Sequence, residues 1–213
     1  MLAAKPAGEM ESCSVLQTDD AFWKVLEFDF ISGKPYDNAD FDAGAAKAVI
    51  SEDMARRLFG TSEVVGKTFL LNHTAYLISG VVRPVSKLAR YAYAQVWIPL
   101  SSTNAFTTTW GDENIMGLVA VLILSKSTDD FPAIHNEADR LRAVFMAGHP
   151  NFDLLYRGQP DTYFVAAQRH SANNPPAVKE AIRQYILTLL VLLIVPAVNL
   201  SGLTLSRMRK RLS

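Results

Sequence analysis

Residues 184–206 read QYILTLLVLLIVPAVNLSGLTLS, and no charged side chain lies between Arg183 and Arg207. Of the 21 residues from Tyr185 to Leu205, 13 are Leu, Ile or Val. At about 1.5 Å rise per residue, a helix of that length spans roughly 31 Å, the thickness of a bilayer's hydrocarbon core. Each Leu, Ile or Val contributes roughly −0.3 to −0.6 kcal/mol at the centre of an inserted helix, so together they supply about −4 to −8 kcal/mol. Pro196 and Asn199 subtract from this without reversing it, because a proline kink is tolerated in membrane helices. The competing reading is a buried central helix of a soluble protein. A segment apolar on every side needs more wrapping than the preceding chain readily supplies.

The flanking charge gives an orientation. Arg207, Arg209, Lys210 and Arg211 follow the apolar run directly, and such a basic cluster marks the cytoplasmic side. The C-terminal end, residues 207–213, is therefore expected inside the cell and residues 1–184 outside. All 21 acidic residues fall at or before Glu180, so residues 1–184 carry 17 basic and 21 acidic side chains, net −4. The N-terminus MLAAKP lacks the basic leader and apolar run of a signal peptide. A folded outer domain of this size needs an upstream targeting helix, so the sequence is expected to be a piece of a longer membrane protein.

Composition excludes several classes. The chain has 213 residues, room for one large domain or two small ones, with 21 basic against 21 acidic side chains. That balance argues against nucleic acid as a partner, which calls for a clustered basic excess. Apolar residues at 49% suffice for a packed core and rule out a disordered chain. The single cysteine, Cys13, excludes an intrachain disulfide framework and a cysteine-based zinc cluster.

Outward from the apolar run, the body reads as mixed strands and helices, an α+β fold. Ser12–Thr18 alternates as a strand, and Phe22–Phe30 is a second strand or a short helix, followed by the turn cluster SGKPYDN. Ala48–Ile50 is a short apolar strand. A helix follows, with Ser51 as N-cap, Glu52 and Asp53 in its first turn and Gly60 past its end. Met54, Ala55, Leu58 and Phe59 share one face of it, and Arg56 and Arg57 point away. Residues 67–71 and 75–82 flank Asn72-His73-Thr74 as a hairpin ended by Pro84, and Ala94–Ile98 is a strand closed by Pro99. Leu118–Leu124 is a continuous apolar run of buried-strand length. The spacing of Phe131, Ile134, Ala138, Leu141 and Phe145 predicts a helix over 131–147 with Gly148 at its stop. Phe152–Arg157 and Thr162–Ala167 read as the last strands. Pro176 then opens the long terminal helix.

The search for chemistry yields no catalytic, cofactor-binding or metal site. Gly60-Thr-Ser-Glu-Val-Val-Gly66-Lys67-Thr68 looks like a phosphate loop, but it has five residues where four are required between the first glycine and Gly-Lys. Its context is also inverted, since it follows a helix and opens a strand. It reads as a helix stop and a turn. The histidines at 73, 135, 149 and 170 show no ligand spacing, and Asp19-Asp20 and Asp129-Asp130 read as turn or helix-start carboxylates. Cys13 has no basic sequence neighbour to activate it, and no serine elbow exists. Phe22, Trp23, Phe28 and Phe30 form either core or a hydrophobic ligand surface.

The stretch from Phe22 to Leu100 resembles the periplasmic core domain of MacB/FtsX-type ABC transporter permeases. The resemblance rests on FWKVLEFDFISGKPY, on AVISEDMARRLFG (48–60) before Val65-Gly66-Lys67, on the hairpin ending LISGVVRPV and on VWIPL at 96–100. The terminal LSRMRKR is similar to the end of that family's second membrane helix. The resemblance implies a two-lobed extracytoplasmic domain followed by a C-terminal transmembrane helix. Residues 20–104 would form a strand-rich inserted lobe, 1–19 with 105–180 a membrane-proximal α/β lobe, and 181–206 the helix. It also implies an ABC ATPase subunit or domain and a second permease copy as partners, with membrane lipid around the helix. The implied role is coupling of cytoplasmic ATP hydrolysis to export or extraction of a peptide, lipoprotein or drug, with Pro196 as a hinge in the transmitting helix. A single-span receptor or binding module is the alternative, and a membrane-anchored enzyme is a third class requiring a cleft with perturbed titrating groups.

Overall fold

The structure is a computed structural model that describes residues 1–4, 8, 10–103, 120–151, 153–169 and 174–212, with side chains described as far as residue 198. In chain order it contains β1 (Leu2–Ala4), β2 (Glu11–Ser12), β3 (Val15–Thr18), α1 (Phe22–Val25), β4 (Phe30–Gly33), α2 (Asn38–Asp42), β5 (Lys47–Ser51) and α3 (Glu52–Phe59). These are followed by β6 (Thr68–Leu71), β7 (Thr74–Val82), β8 (Val96–Pro99), α4 (Phe131–Gly148), α5 (Tyr163–Ala167) and α6 (Val178–Leu212). Two compact units divide the chain, Met1–Leu124 and Ser125–Ser213.

The first unit is an eight-stranded mixed sheet in the order β2-β1-β6-β7-β5-β8-β3, with β4 also pairing β7. At its centre β5 runs parallel to β7 and antiparallel to β8. Ala48, Val49 and Ile50 are all inaccessible, because both faces of this strand are covered. Ala48 and Ile50 join Met54, Ala55 and Leu58 of α3 and Phe69, Ile78 and Ile98 of the sheet. Val49 and Trp97 face the other way and pack with Phe22, Tyr36, Val82 and Ala94. A strand buried on both sides reads as a continuous apolar run rather than an alternating one.

Several sequence expectations hold locally. Helix α3 buries Met54, Ala55 and Leu58 and turns Arg56 and Arg57 outward, where Arg56 pairs with Glu52 at 2.7 Å. Gly60 ends it in the left-handed region (φ 74°), a conformation that costs glycine nothing. The hairpin β6–β7 turns on Asn72 and His73, both at positive φ, as a tight two-residue turn demands. Phe22–Val25 takes the short-helix alternative: the Asp19 carboxylate accepts from the Phe22 N–H at 2.9 Å, and the strand begins only at Phe30.

Three expectations change. Of the apolar run 118–124, residues 118 and 119 lie outside the described residues, and Ala120–Leu124 forms no strand. Val121 is 78% exposed, and only Leu122 packs, against the Trp97 side of the core. A strand needs a neighbour for its backbone groups, and this stretch has none among the described residues. Residues 153–156 are irregular, because the Leu154 carbonyl accepts from Arg142 Nε at 2.8 Å and its N–H points to Met146 Sδ at 3.1 Å, both on α4. Phe152 lies outside the described residues. Thr162–Ala167 contains helix α5 instead of a strand, with Thr162 Oγ1 accepting from the Val165 N–H as an N-cap. β1 pairs β6 and β3 pairs β8, so the N-terminal strands complete the sheet of residues 20–104.

The second unit holds α4, α5 and α6. Helix α4 covers the expected span, with Asp130 closing a capping box with Ser127 just before it. None of its side chains is fully buried; Phe131, Ile134, Ala138 and Phe145 are half-buried and Leu141 is exposed. Helix α6 is 35 residues long and unbroken, about 52 Å at helical rise.

Candidate functional site

The features with functional potential converge on α6. Within Val178–Val198 an 18-residue stretch has a mean hydropathy of 2.1, and none of that stretch is buried against protein. A helix that exposes Ile186, Leu187, Leu189, Leu190, Val191 and Leu192 together has no stable place in water. Its polar groups are handled as lipid requires: Thr188 Oγ1 donates back to the Gln184 carbonyl at 2.8 Å. Tyr185 stands at the N-terminal end of the apolar stretch, where an amphipathic ring suits a headgroup boundary.

Pro196 lies inside α6 without breaking it. Having no N–H, it leaves the Leu192 carbonyl without its i+4 donor. Arg207, Arg209, Lys210 and Arg211 fall on the last turns of the same helix. They lie about 16 to 23 Å beyond Pro196 along its axis, and their side chains are outside the described set. The helix thus carries Pro196 and the basic residues on one rod.

The start of α6 is held by a residue that no sequence motif pointed to. Arg169, just after α5, is buried, the Asp161 side chain is 8% exposed, and the two form a two-pronged ion pair through Nε and Nη2. Arg169 Nη2 also donates to the Arg157 carbonyl at 2.9 Å and Nη1 to the Asn174 carbonyl at 2.5 Å. The Gln168 carbonyl accepts from the Ala177 N–H at 3.1 Å, and the Ala177 carbonyl accepts the first α6 bond from Ala181. Together α5 and the first turns of α6 line a cleft of about 290 Å³. Asp161 and Arg169 stand eight residues apart across a chain reversal, a spacing without any periodic signature.

The residues considered for chemistry sit as follows. Gly60 and Gly66 are turn glycines at positive φ, and Lys67 leads into β6, so the phosphate-loop look-alike is a helix stop and a turn. His73 is in the hairpin turn, His135 is on α4, and His149 caps α4 while stacking on Phe145 at 4.2 Å; His170 lies outside the described residues. Asp20 pairs with Lys24 at 2.9 Å, and Asp130 accepts from the Lys126 and Ser127 N–H groups. Cys13 is buried, and burial pushes its thiol above the usual range despite the nearby Met1 ammonium and Arg57. Trp23 packs edge to face with Phe22, Phe28, Tyr36 and Trp97, and Phe28 with Trp97, at 5.0 to 6.2 Å, which assigns these aromatics to the core. A second shallow cleft of about 360 Å³ lies along α4, where Tyr156 donates to Asp139 and Arg142 lies over the Tyr156 ring at 5.6 Å.

A mixed sheet covered by a helix, followed in the same chain by an exposed apolar rod, defines a folded domain carried on a helix fit for a membrane. The profile of the MacB-like periplasmic core domain matches residues 3–141, and the chain belongs to that family. It is 25% identical over 133 residues to the uncharacterized ABC transporter permease YknZ of Bacillus subtilis (strain 168), covering 62% of this chain and 32% of that protein. It is 29% identical over 91 residues to the macrolide export ATP-binding/permease protein MacB of Pasteurella multocida (strain Pm70), covering 43% of this chain and 14% of that protein. The chain therefore spans about a third or less of the length of these relatives. Among solved structures, the extracellular domain of the ABC-type transporter YknZ from Gram-positive bacteria superposes with a TM-score of 0.52 at 19% identity, covering 70% of this chain and 71% of that one. The α+β fold is thus that of an ABC permease's outer domain, and the family is one of transporter permeases rather than of classical enzymes.

Proposed function

We propose that the chain is the outer domain and second membrane helix of an ABC transporter permease, and that it couples cytoplasmic ATP hydrolysis to export or extraction of a substrate. Residues 1–184 lie outside the inner membrane, 185–206 cross it, and Arg207, Arg209, Lys210 and Arg211 face the cytoplasm. Hydrolysis occurs in a nucleotide-binding domain that is a separate subunit or a fused one, and a second permease copy completes the transporter. The substrate class is a peptide, lipoprotein or drug; the name of the Pasteurella relative makes a macrolide the first probe. The observation that carries this reading is the continuity of α6 from Val178 to Leu212. An unbroken helix moves as a rod, so displacement at its inner end reaches its outer end, with Pro196 as the place to bend.

The test is hydrogen–deuterium exchange on the full permease with its ATPase, with and without ATP. ATP is expected to change uptake in residues 131–169. Replacing Glu180–Gln184 with a Gly/Ser linker is expected to abolish that change while ATP hydrolysis continues. An unaltered response in the linker variant overturns the coupling, and absence of any response in the parent favours a single-span binding module.

A further inference from the structure

Among the described residues Arg169 is the one charged residue that is buried as a whole, at 6% exposure. Its pair with Asp161 is also the one ion pair there with both partners enclosed. Burying two charges is costly, and hydrophobic replacements of equal volume often do as well for stability. A buried pair is therefore better explained by what its geometry fixes than by the stability it adds. This guanidinium fixes three strands of chain at once. Its fork holds Asp161 ahead of α5, Nη2 holds the Arg157 carbonyl, and Nη1 holds the Asn174 carbonyl, three residues before Ala177 donates to Gln168 and α6 begins. Only arginine presents several donors in one rigid plane, so lysine cannot reproduce this knot.

We propose that Arg169 is the positioning residue of the transmission: with Asp161 it locks the outer end of α6 to α5 and to residues 157–161, so that movement of the rod carries those segments with it. This rests on the coupling function proposed above and names the joint it needs. Without the lock, α6 still moves, but its motion is lost in the segment between Arg169 and Val178. The joint lies outside the apolar stretch, where water competes for exposed polar contacts, and enclosure of the pair keeps the lock from loosening.

The experiment uses the full permease with its ATPase and the same exchange measurement. Arg169→Met and the milder Asp161→Asn are each expected to cut the ATP-dependent change in residues 131–167 at least threefold while leaving that in residues 178–184 within twofold. Ala167 and Ala181 both line the cleft between α5 and α6. Introducing Ala167→Cys and Ala181→Cys and bridging them with a short bifunctional maleimide is expected to restore the change in Arg169→Met, which repair of a merely structural defect would not do. A response that persists in both variants, one that disappears equally from 178–184 in Asp161→Asn, or failure of the bridge to restore it overturns the proposal. If the Gly/Ser linker abolishes the outer response while Arg169→Met and Asp161→Asn keep it, the joint alone fails; if the linker variant keeps it, the coupling itself fails.

Discussion

Gly33 and Gly60 both sit at positive φ, +70° and +74°, yet they face different surroundings. A Cβ on Gly60 meets open space, whereas one on Gly33 would lie 2.2 Å from the Ser79 carbonyl oxygen. Gly60→Ala is expected to cost about 1–2 kcal/mol, the penalty of the left-handed region alone. Gly33→Ala adds a backbone clash in the β4–β7 pairing and should cost a further 1–3 kcal/mol or so; equal losses in chemical unfolding would refute the distinction. Asp40 supplies a pH-dependent case. Its hydrogen bond from Lys47 at 2.5 Å outweighs the opposing effect of burial and holds its carboxyl below the usual carboxylate range. A depressed carboxyl stabilises the fold fully above the ordinary value of about 3.9 and loses that contribution as pH falls through the lowered one. Lys47→Met should therefore destabilise the chain modestly at neutral pH, and its deficit relative to the parent should shrink in melts run in the acid range below about pH 4.

At the scale of the element, α3 shows how a cap can be legible in position and misleading in chemistry. Ser51 has the extended backbone of an N-cap (φ −74°, ψ 154°), but its hydroxyl makes no capping bond. The side chain is 1% exposed, and its Oγ has no hydrogen-bond partner among the described residues. Loss of a working Ser cap costs about 1 kcal/mol. Here Ser51→Ala removes a desolvated, unpaired hydroxyl and is expected to leave thermal stability unchanged or raised, and a drop of the full cap value would contradict this. The same limit applies to α5. Thr162-Tyr-Phe-Val carries β-forming residues and reads as a strand, but no strand lies beside it among the described residues, and Thr162 caps a helical turn instead. Local preference proposes, and available hydrogen-bond partners decide.

For the whole molecule, orientation is the measurable claim. Leu88 is 89% exposed in the first unit, and native Cys13 is buried. In intact cells with a permeable outer barrier, Leu88→Cys should react with a membrane-impermeant maleimide, while Ser206→Cys, next to the basic cluster, should react only after the inner membrane is opened. The reverse pattern would invert the topology and remove the basis for coupling. The family match covers residues 3–141, the sheet and the first part of α4, so relatives anchor the outer fold more firmly than the segment that joins it to α6.

What sequence alone settled about this protein is the apolar rod with its basic end, the helix 52–59 with its glycine stop, the hairpin 68–82 and the family they resemble. Each is a short-range pattern: charge-free length, 3.6-residue periodicity, or a turn dictated by two residues. The tertiary structure decided the rest. It joined the N-terminal strands to the sheet through β6 and β8, left Ala120–Leu124 without a partner strand among the described residues, and drew Arg169 onto Asp161. These depend on which distant backbone groups and charges come within bonding distance, and neighbouring residues carry no trace of that until the chain is folded.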